Sequence, residues 1–274
     1  MDVSKMAVVA HLFYREETEA ILKLLGKLSF EFDLYVSVPV EKSEWVKNLL
    51  DEMFPGKKIT LRVVPNRGYD IAPFVCMFGD VYPSYDLVLK LHTKKSPHRL
   101  WLKGWGEYLM RNLAGSPEII DSILRMFEED KTLGLVYPEA IAPLKAGLED
   151  PLPSDWDSCV ALAARLELPL PEKSQLRFPA GSMFWFRPRA LAQLFGLGLT
   201  FEDFPGGKAI RRNGTLAHAI ERLLVLMAKK QGSCFRTVCF EPFRTIPNPS
   251  LWQNARDMVH CEWSRFLDFL GIHG

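Results

Sequence analysis

Between residues 7 and 91, short apolar runs alternate with helix-spaced segments, and this alternation constrains the fold more than any other feature of the sequence. Apolar runs at 7–13, 32–38, 59–64 and 86–91 have the length and boundaries of buried strands. Between them, 16–28 carries Ala20, Ile21, Leu24, Leu25 and Leu28 at helical spacing, with Glu16, Glu17 and Glu19 suited to its first turn. The segment 43–54 predicts a helix capped by Ser43 and closed by Pro55-Gly56, and 71–78 one with Pro73 in its first turn. This β-α-β-α-β-α-β order with short links predicts an α/β fold, a parallel sheet covered by helices and joined by right-handed crossovers.

Beyond residue 100 the pattern loosens. Helices are predicted over 117–129 (capped by Ser116, with Pro117 first), 157–166, 188–194 and 215–230. Strands are predicted over 133–137 and 178–186, and an aromatic terminal helix carries Trp252, Trp263, Phe266, Phe269 and Leu270. At 274 residues the chain reads as a single domain: a nucleotide-binding-type half (1–100), a second half (101–245) and a helical tail (246–274).

Composition narrows the function classes. A mean hydropathy of -0.01 and no apolar run near the roughly 20 residues of a spanning helix exclude a membrane protein. The amino terminus lacks a signal peptide's apolar region, so a cytoplasmic location is expected. Cys76, Cys159, Cys234, Cys239 and Cys261 are odd in number and never spaced as CxxC, which predicts buried, reduced thiols. A net charge of +1 argues against nucleic-acid binding. Hydrolase (GxSxG), metalloprotease (HExxH), P-loop and GxGxxG signatures are all missing.

Positive charge is local instead. The fourth strand runs through Lys90 into His92, Lys94, Lys95, His98 and Arg99 with no intervening acid, and a second cluster stands at Lys208, Arg211 and Arg212. Open α/β sheets bind ligands at the carboxyl edge of their strands, so cations there suit an anionic ligand such as a diphosphate; a solvated basic loop is the plainer alternative. Where many nucleotide-sugar transferases carry a metal-binding Asp-x-Asp, this chain has cations that could neutralise a leaving diphosphate unaided.

Other motifs admit two readings each. Asn66-Arg67-Gly68-Tyr69-Asp70 ends the third strand: Asn66 and Asp70 could meet a base or ribose, or the run is a turn with Asp70 capping the next helix. In Gly181-Ser182-Met183-Phe184-Trp185, the aromatics could stack on a sugar or simply fill the core. His218, Glu221 and Arg222 share one helix face, where a base and its orienter could sit, or merely a surface cluster; Asp203 is a further acidic candidate.

Taken together, VVPNRGYDIAPF (63–74), YDLVLKLHTKKSPH (85–98), Gly104-Trp105, LGLVYPE (133–139), FPAGSMFWFRPRAL (178–191) and NGTLAHAIERLL (213–224) resemble the rhamnan synthesis protein F family. The resemblance implies a GT-A-like three-layer sandwich, a mostly parallel central sheet with helices on both faces. It also implies a glycosyltransferase of bacterial surface-polysaccharide synthesis, with dTDP-L-rhamnose as donor and a glycan or lipid-linked glycan as acceptor. By it, His11, Asn66, Arg67, Gly68, Asp70, Lys90, His92, Lys94 and Lys95 would form the donor site, and Gly181, Phe184 and Trp185 would border the acceptor. His218 and Glu221 belong to the last family motif and are the candidates for the catalytic base, beside Asp203 from the residues alone. The family is expected to have an aspartate where this chain has Asn213. No metal or other cofactor is expected, nor any nucleic-acid partner, and the protein would associate peripherally with the cytoplasmic membrane face.

Overall fold

The structure is a computed structural model and describes residues 5–28, 30–94, 104–141, 153–206 and 214–243. Lys95, the basic cluster at Lys208, Arg211 and Arg212, Asn213, Cys261 and the expected tail helix lie outside the described residues. The backbone forms two compact units, one of residues 1–95 with 106–242 and one of 96–105 with 243–274. The features below belong to the first unit.

Seven strands build one sheet: β1 Met6–His11, β2 Asp33–Pro39, β3 Ile59–Val64, β4 Leu87–His92, β5 Leu133–Pro138, β6 Phe184–Phe186 and β7 Cys234–Val238. Their order is β3-β2-β1-β4-β6-β5-β7. All neighbours pair in parallel except β6, which runs antiparallel to both β4 and β5. Every residue of β4 and β5 is buried, the near-continuous apolar pattern of strands covered on both faces.

Helices α1 Arg15–Leu25, α2 Ser43–Met53, α3 Ile71–Met77, α4 Trp105–Ala114, α5 Pro117–Glu129, α6 Pro153–Arg165, α7 Ala192–Phe195 and α8 Leu216–Lys230 supply the covering layers. The alternation of β6 separates the two faces. Phe184 and Phe186 meet Phe74 of α3, and Phe186 also meets Tyr82 and Phe195 of α7, with ring centroids 5.5 to 6.3 Å apart. Trp185 points the other way, packs on Phe30 and donates its indole N–H to the Leu113 carbonyl of α4. This is the mostly parallel α/β sheet, covered by helices on both faces, that the sequence predicts.

Several local expectations need correction. Only Phe184–Phe186 of the expected strand 178–186 is extended, because Gly181 (φ 89°) and Ser182 (φ 56°) adopt consecutive left-handed conformations. Ser43 is no cap: its hydroxyl donates to the Val40 carbonyl of a preceding 3-10 turn. Ser116 does cap α5, accepting from the Ile119 N–H at 3.4 Å. Helix 188–194 is a 3-10 turn followed by the single turn of α7. Of the described cysteines only Cys159 is buried; Cys239 is exposed.

Candidate functional site

Parallel register brings the site together. In the β1–β4 pair, His11 lies opposite His92 and Val9 opposite Lys90, so both histidines reach the carboxyl edge of neighbouring strands. The β3–α3 loop and the loop before β6 close over this edge. Each holds two consecutive left-handed residues, Gly68-Tyr69 (φ 62° and 54°) and Gly181-Ser182.

Lys90 is 2% exposed and satisfies all three of its N–H groups within the protein. Nζ donates to Asp70 Oδ2 at 2.5 Å, to the Ser182 carbonyl at 2.7 Å and to Ser182 Oγ at 3.0 Å. The rings of Phe74 and Phe184 flank the ammonium at 5.2 and 5.7 Å. Burial pulls the Lys90 ammonium down, against the opposing pull of Asp70. For Asp70 burial acts upward, but His92 and Lys90 overcome it and hold the carboxyl well below the usual carboxylate range.

His92 completes the cluster. Its Nδ1 lies 3.8 Å from Asp70 Oδ1 and 3.0 Å from the Thr93 carbonyl, and Nε2 lies 2.7 Å from the Gly181 carbonyl. Burial brings its pKa down to about 4, with Asp70 opposing and Lys90 and Lys94 adding to the fall. Both ring nitrogens face carbonyl oxygens, and a neutral ring can donate to only one of them. His11, hydrogen-bonded to Ser37 Oγ at 3.0 Å, is likewise lowered to about 4, chiefly by burial.

The pre-β6 loop is tied down from α8. The Gly181 N–H donates to Glu221 Oε1 at 2.9 Å, Glu221 Oε2 faces Arg222 at 3.3 Å, and Arg222 reaches the buried Asp155 at 3.1 Å. Asp155 in turn accepts from the Gly214 N–H at the start of α8. Thr93 Oγ1 performs the same service for the β1–α1 loop, accepting from the Phe13 N–H at 3.0 Å.

The expected residues therefore divide. His11, Asp70, Lys90, His92 and Gly181 converge, with Lys94 close enough for its charge to act on Asp70, Lys90 and His92. Lys90 and His92 are buried and engaged, so neither is a surface cation for a diphosphate. Phe184 and Trp185 are fully buried and are core, not an acceptor platform. Asp203 accepts from the Thr200 N–H and hydroxyl through Oδ2 in a capping box. Glu221 has both oxygens engaged and positions a loop. Arg67 is spent on the Phe201 carbonyl and Glu202, leaving Asn66 exposed at the edge. Gly68 owes its identity to packing, since a Cβ there would lie 2.5 Å from Ala72 Cβ and 2.6 Å from Phe204 Cδ1. Asp70 does not cap α3.

His218 is partly exposed, its Nδ1 2.8 Å from Thr215 Oγ1 and its ring against Tyr69. Ser182, Thr93, Tyr69 and Asp155 were not foreseen as site residues. The AGSM and NRGYD runs contain two of them, but no spacing rule marks a serine that serves a buried lysine.

Comparisons with known proteins bear on this edge. A family model described as rhamnan synthesis protein F matches residues 1–233, a span that contains every residue of the cluster. Two curated relatives, both described as uncharacterized protein WxcX, come from two strains of Xanthomonas campestris pv. campestris. Each is 30% identical over 233 residues, which is 84% of this chain but 32% of the relative, so the chain spans about a third of their length. Among solved structures, the mannosyltransferase PcManGT from Pyrobaculum calidifontis in complex with GDP-Man and Mn2+ is similar at a TM-score of 0.43 and 13% identity, covering 85% of this chain and 54% of that one. Mouse xyloside xylosyltransferase 1 is similar at a TM-score of 0.37 and 9% identity, with 85% of each chain covered. These structural likenesses are too slight to carry a function across.

Proposed function

As the chain belongs to the rhamnan synthesis protein F family, we propose that it is a glycosyltransferase domain of surface-polysaccharide synthesis. It transfers a sugar, L-rhamnose, from dTDP-L-rhamnose to a glycan or lipid-linked glycan met at the cytoplasmic membrane face. The observation that carries this reading is that one family match spans all of the elements that converge at the sheet's carboxyl edge.

Lys90, Asp70 and His92 form a rigid floor, a preorganised field rather than a mobile contact. Lys94, at the exit of β4 with Lys95 next in sequence and close enough for its charge to act on Asp70 and His92, is the cation that meets the diphosphate. Asp70 is already paired with Lys90 rather than open to a divalent ion, which supports a reaction without metal.

His218 is the remaining base. Thr215 orients Nδ1, and Nε2 has no partner among the described residues. An acceptor hydroxyl gives its proton to Nε2 while its oxygen bonds to the anomeric carbon. The anomeric C–O bond breaks, its electron pair leaves with the diphosphate, and configuration inverts. A second reading, a nucleotide-sugar-binding module without turnover, is favoured by the engagement of both oxygens of Glu221.

Incubation of the protein with dTDP-L-rhamnose and a rhamnose trisaccharide, without divalent metal, tests the proposal. Extension of the trisaccharide, abolished by His218→Ala, supports it. Binding of donor with no extension favours the module.

A further inference from the structure

Of the six large apolar side chains exposed among the described residues, four (Tyr14, Val40, Tyr69 and Phe240) follow the carboxyl ends of strands β1, β2, β3 and β7, while Val63 lies within β3 and Val160 within α6. Tyr69 is distinct among them, because its backbone is left-handed (φ 54°), a conformation unfavourable for a bulky residue. Such a conformation persists only where its surroundings enforce it. Here they do: Gly68 before it is packed against Ala72 and Phe204, and Asp70 after it is clamped by Lys90.

This backbone holds a tyrosine ring that is 39% exposed against His218, with centroids 5.6 Å apart and planes at 80°. The two rings meet edge to face, so an aromatic surface and an imidazole are presented side by side, both partly exposed. An apolar ring face and a hydroxyl at its rim are the complementary chemistry, and a pyranose carries both.

We infer that Tyr69 and His218 form the subsite for the acceptor pyranose, with the sugar's apolar face on Tyr69 and its attacking hydroxyl at His218 Nε2. The inference rests on the sugar-transfer reading above and extends it to a residue that the sequence had not marked. Tyr69 is a positioning residue: it holds the acceptor and takes no proton.

Steady-state transfer from dTDP-L-rhamnose to the rhamnose trisaccharide, with wild type, Tyr69→Phe and Tyr69→Gly, tests it. Glycine accepts the left-handed backbone, so Tyr69→Gly keeps its unfolding temperature within about 4 °C of wild type. Tyr69→Gly is expected to raise the acceptor KM at least tenfold, with donor KM and dTDP affinity within about twofold, and Tyr69→Phe to restore the acceptor KM. An unchanged acceptor KM in Tyr69→Gly overturns the assignment. So does a rise confined to the donor KM, which would give the two rings to the donor sugar. Failure of wild type to bind either sugar compound sinks the sugar-transfer reading itself, and the subsite with it.

Discussion

Replacing Lys90 by methionine removes the charge at the centre of the site while filling the same volume. The ammonium is 2% exposed and serves three acceptors, and its ion-pair partner Asp70 has a side chain only 12% exposed. Breaking a buried pair from one side leaves an uncompensated carboxylate, which costs about 3–5 kcal/mol. The Ser182 carbonyl and hydroxyl lose their donor as well, so the upper half of that range is expected. Equilibrium urea unfolding at pH 7, followed by tryptophan fluorescence, measures the loss against a total stability on the order of 5–15 kcal/mol. Removing both charges with Lys90→Met and Asp70→Leu should cost less than the sum of the single changes by about 2 kcal/mol, because no orphan charge remains. A loss below about 1 kcal/mol for Lys90→Met, or strict additivity in the double variant, would refute the buried pair as the clamp between the two loops.

Two other outcomes follow from the same geometry. His11 and His92 are both lowered to about 4 from 6.5. Between those values the unfolded chain binds more protons than the folded one, so the stability these rings contribute is complete above pH 6.5 and lost as pH falls towards 4. Unfolding free energies from urea titrations should fall by up to about 1.4 kcal/mol per pH unit for each ring, and His92→Gln should flatten the slope; a level profile would contradict the lowered pKa values. Gly68→Ala adds a Cβ 2.5 Å from Ala72 Cβ at a left-handed residue. It should cost about 2–4 kcal/mol in the same unfolding assay, whereas an unchanged midpoint would mean that the loop relaxes freely.

The amino-terminal half was legible because its signals are local. Each strand from β1 to β4 is an apolar run bounded by turn residues, and period and punctuation suffice to find it. The site was legible only as a neighbourhood. Lys90 reads as one more cation in LKLHTKK, yet its environment is set by Asp70 and by Ser182, 92 residues away. Trp185 and Phe184 look the same on paper whether they bind a sugar or fill a core. What decides is that β6 lies between β4 and β5, a long-range fact. Helix α4 and strand β7 escaped notice for a related reason. The first has no distinctive cap, and Phe235, Arg236 and Thr237 of the second alternate only weakly.

The central proposal is that cations at the sheet's carboxyl edge receive a diphosphate without a metal. Isothermal titration of dTDP, UDP and GDP into the protein, in chelator and then with Mn2+, tests this most directly. Binding of dTDP in chelator, unchanged by Mn2+ and weakened roughly 5- to 150-fold by Lys94→Ala, is predicted. Binding that requires Mn2+, or none with any of the three nucleotides, would contradict it.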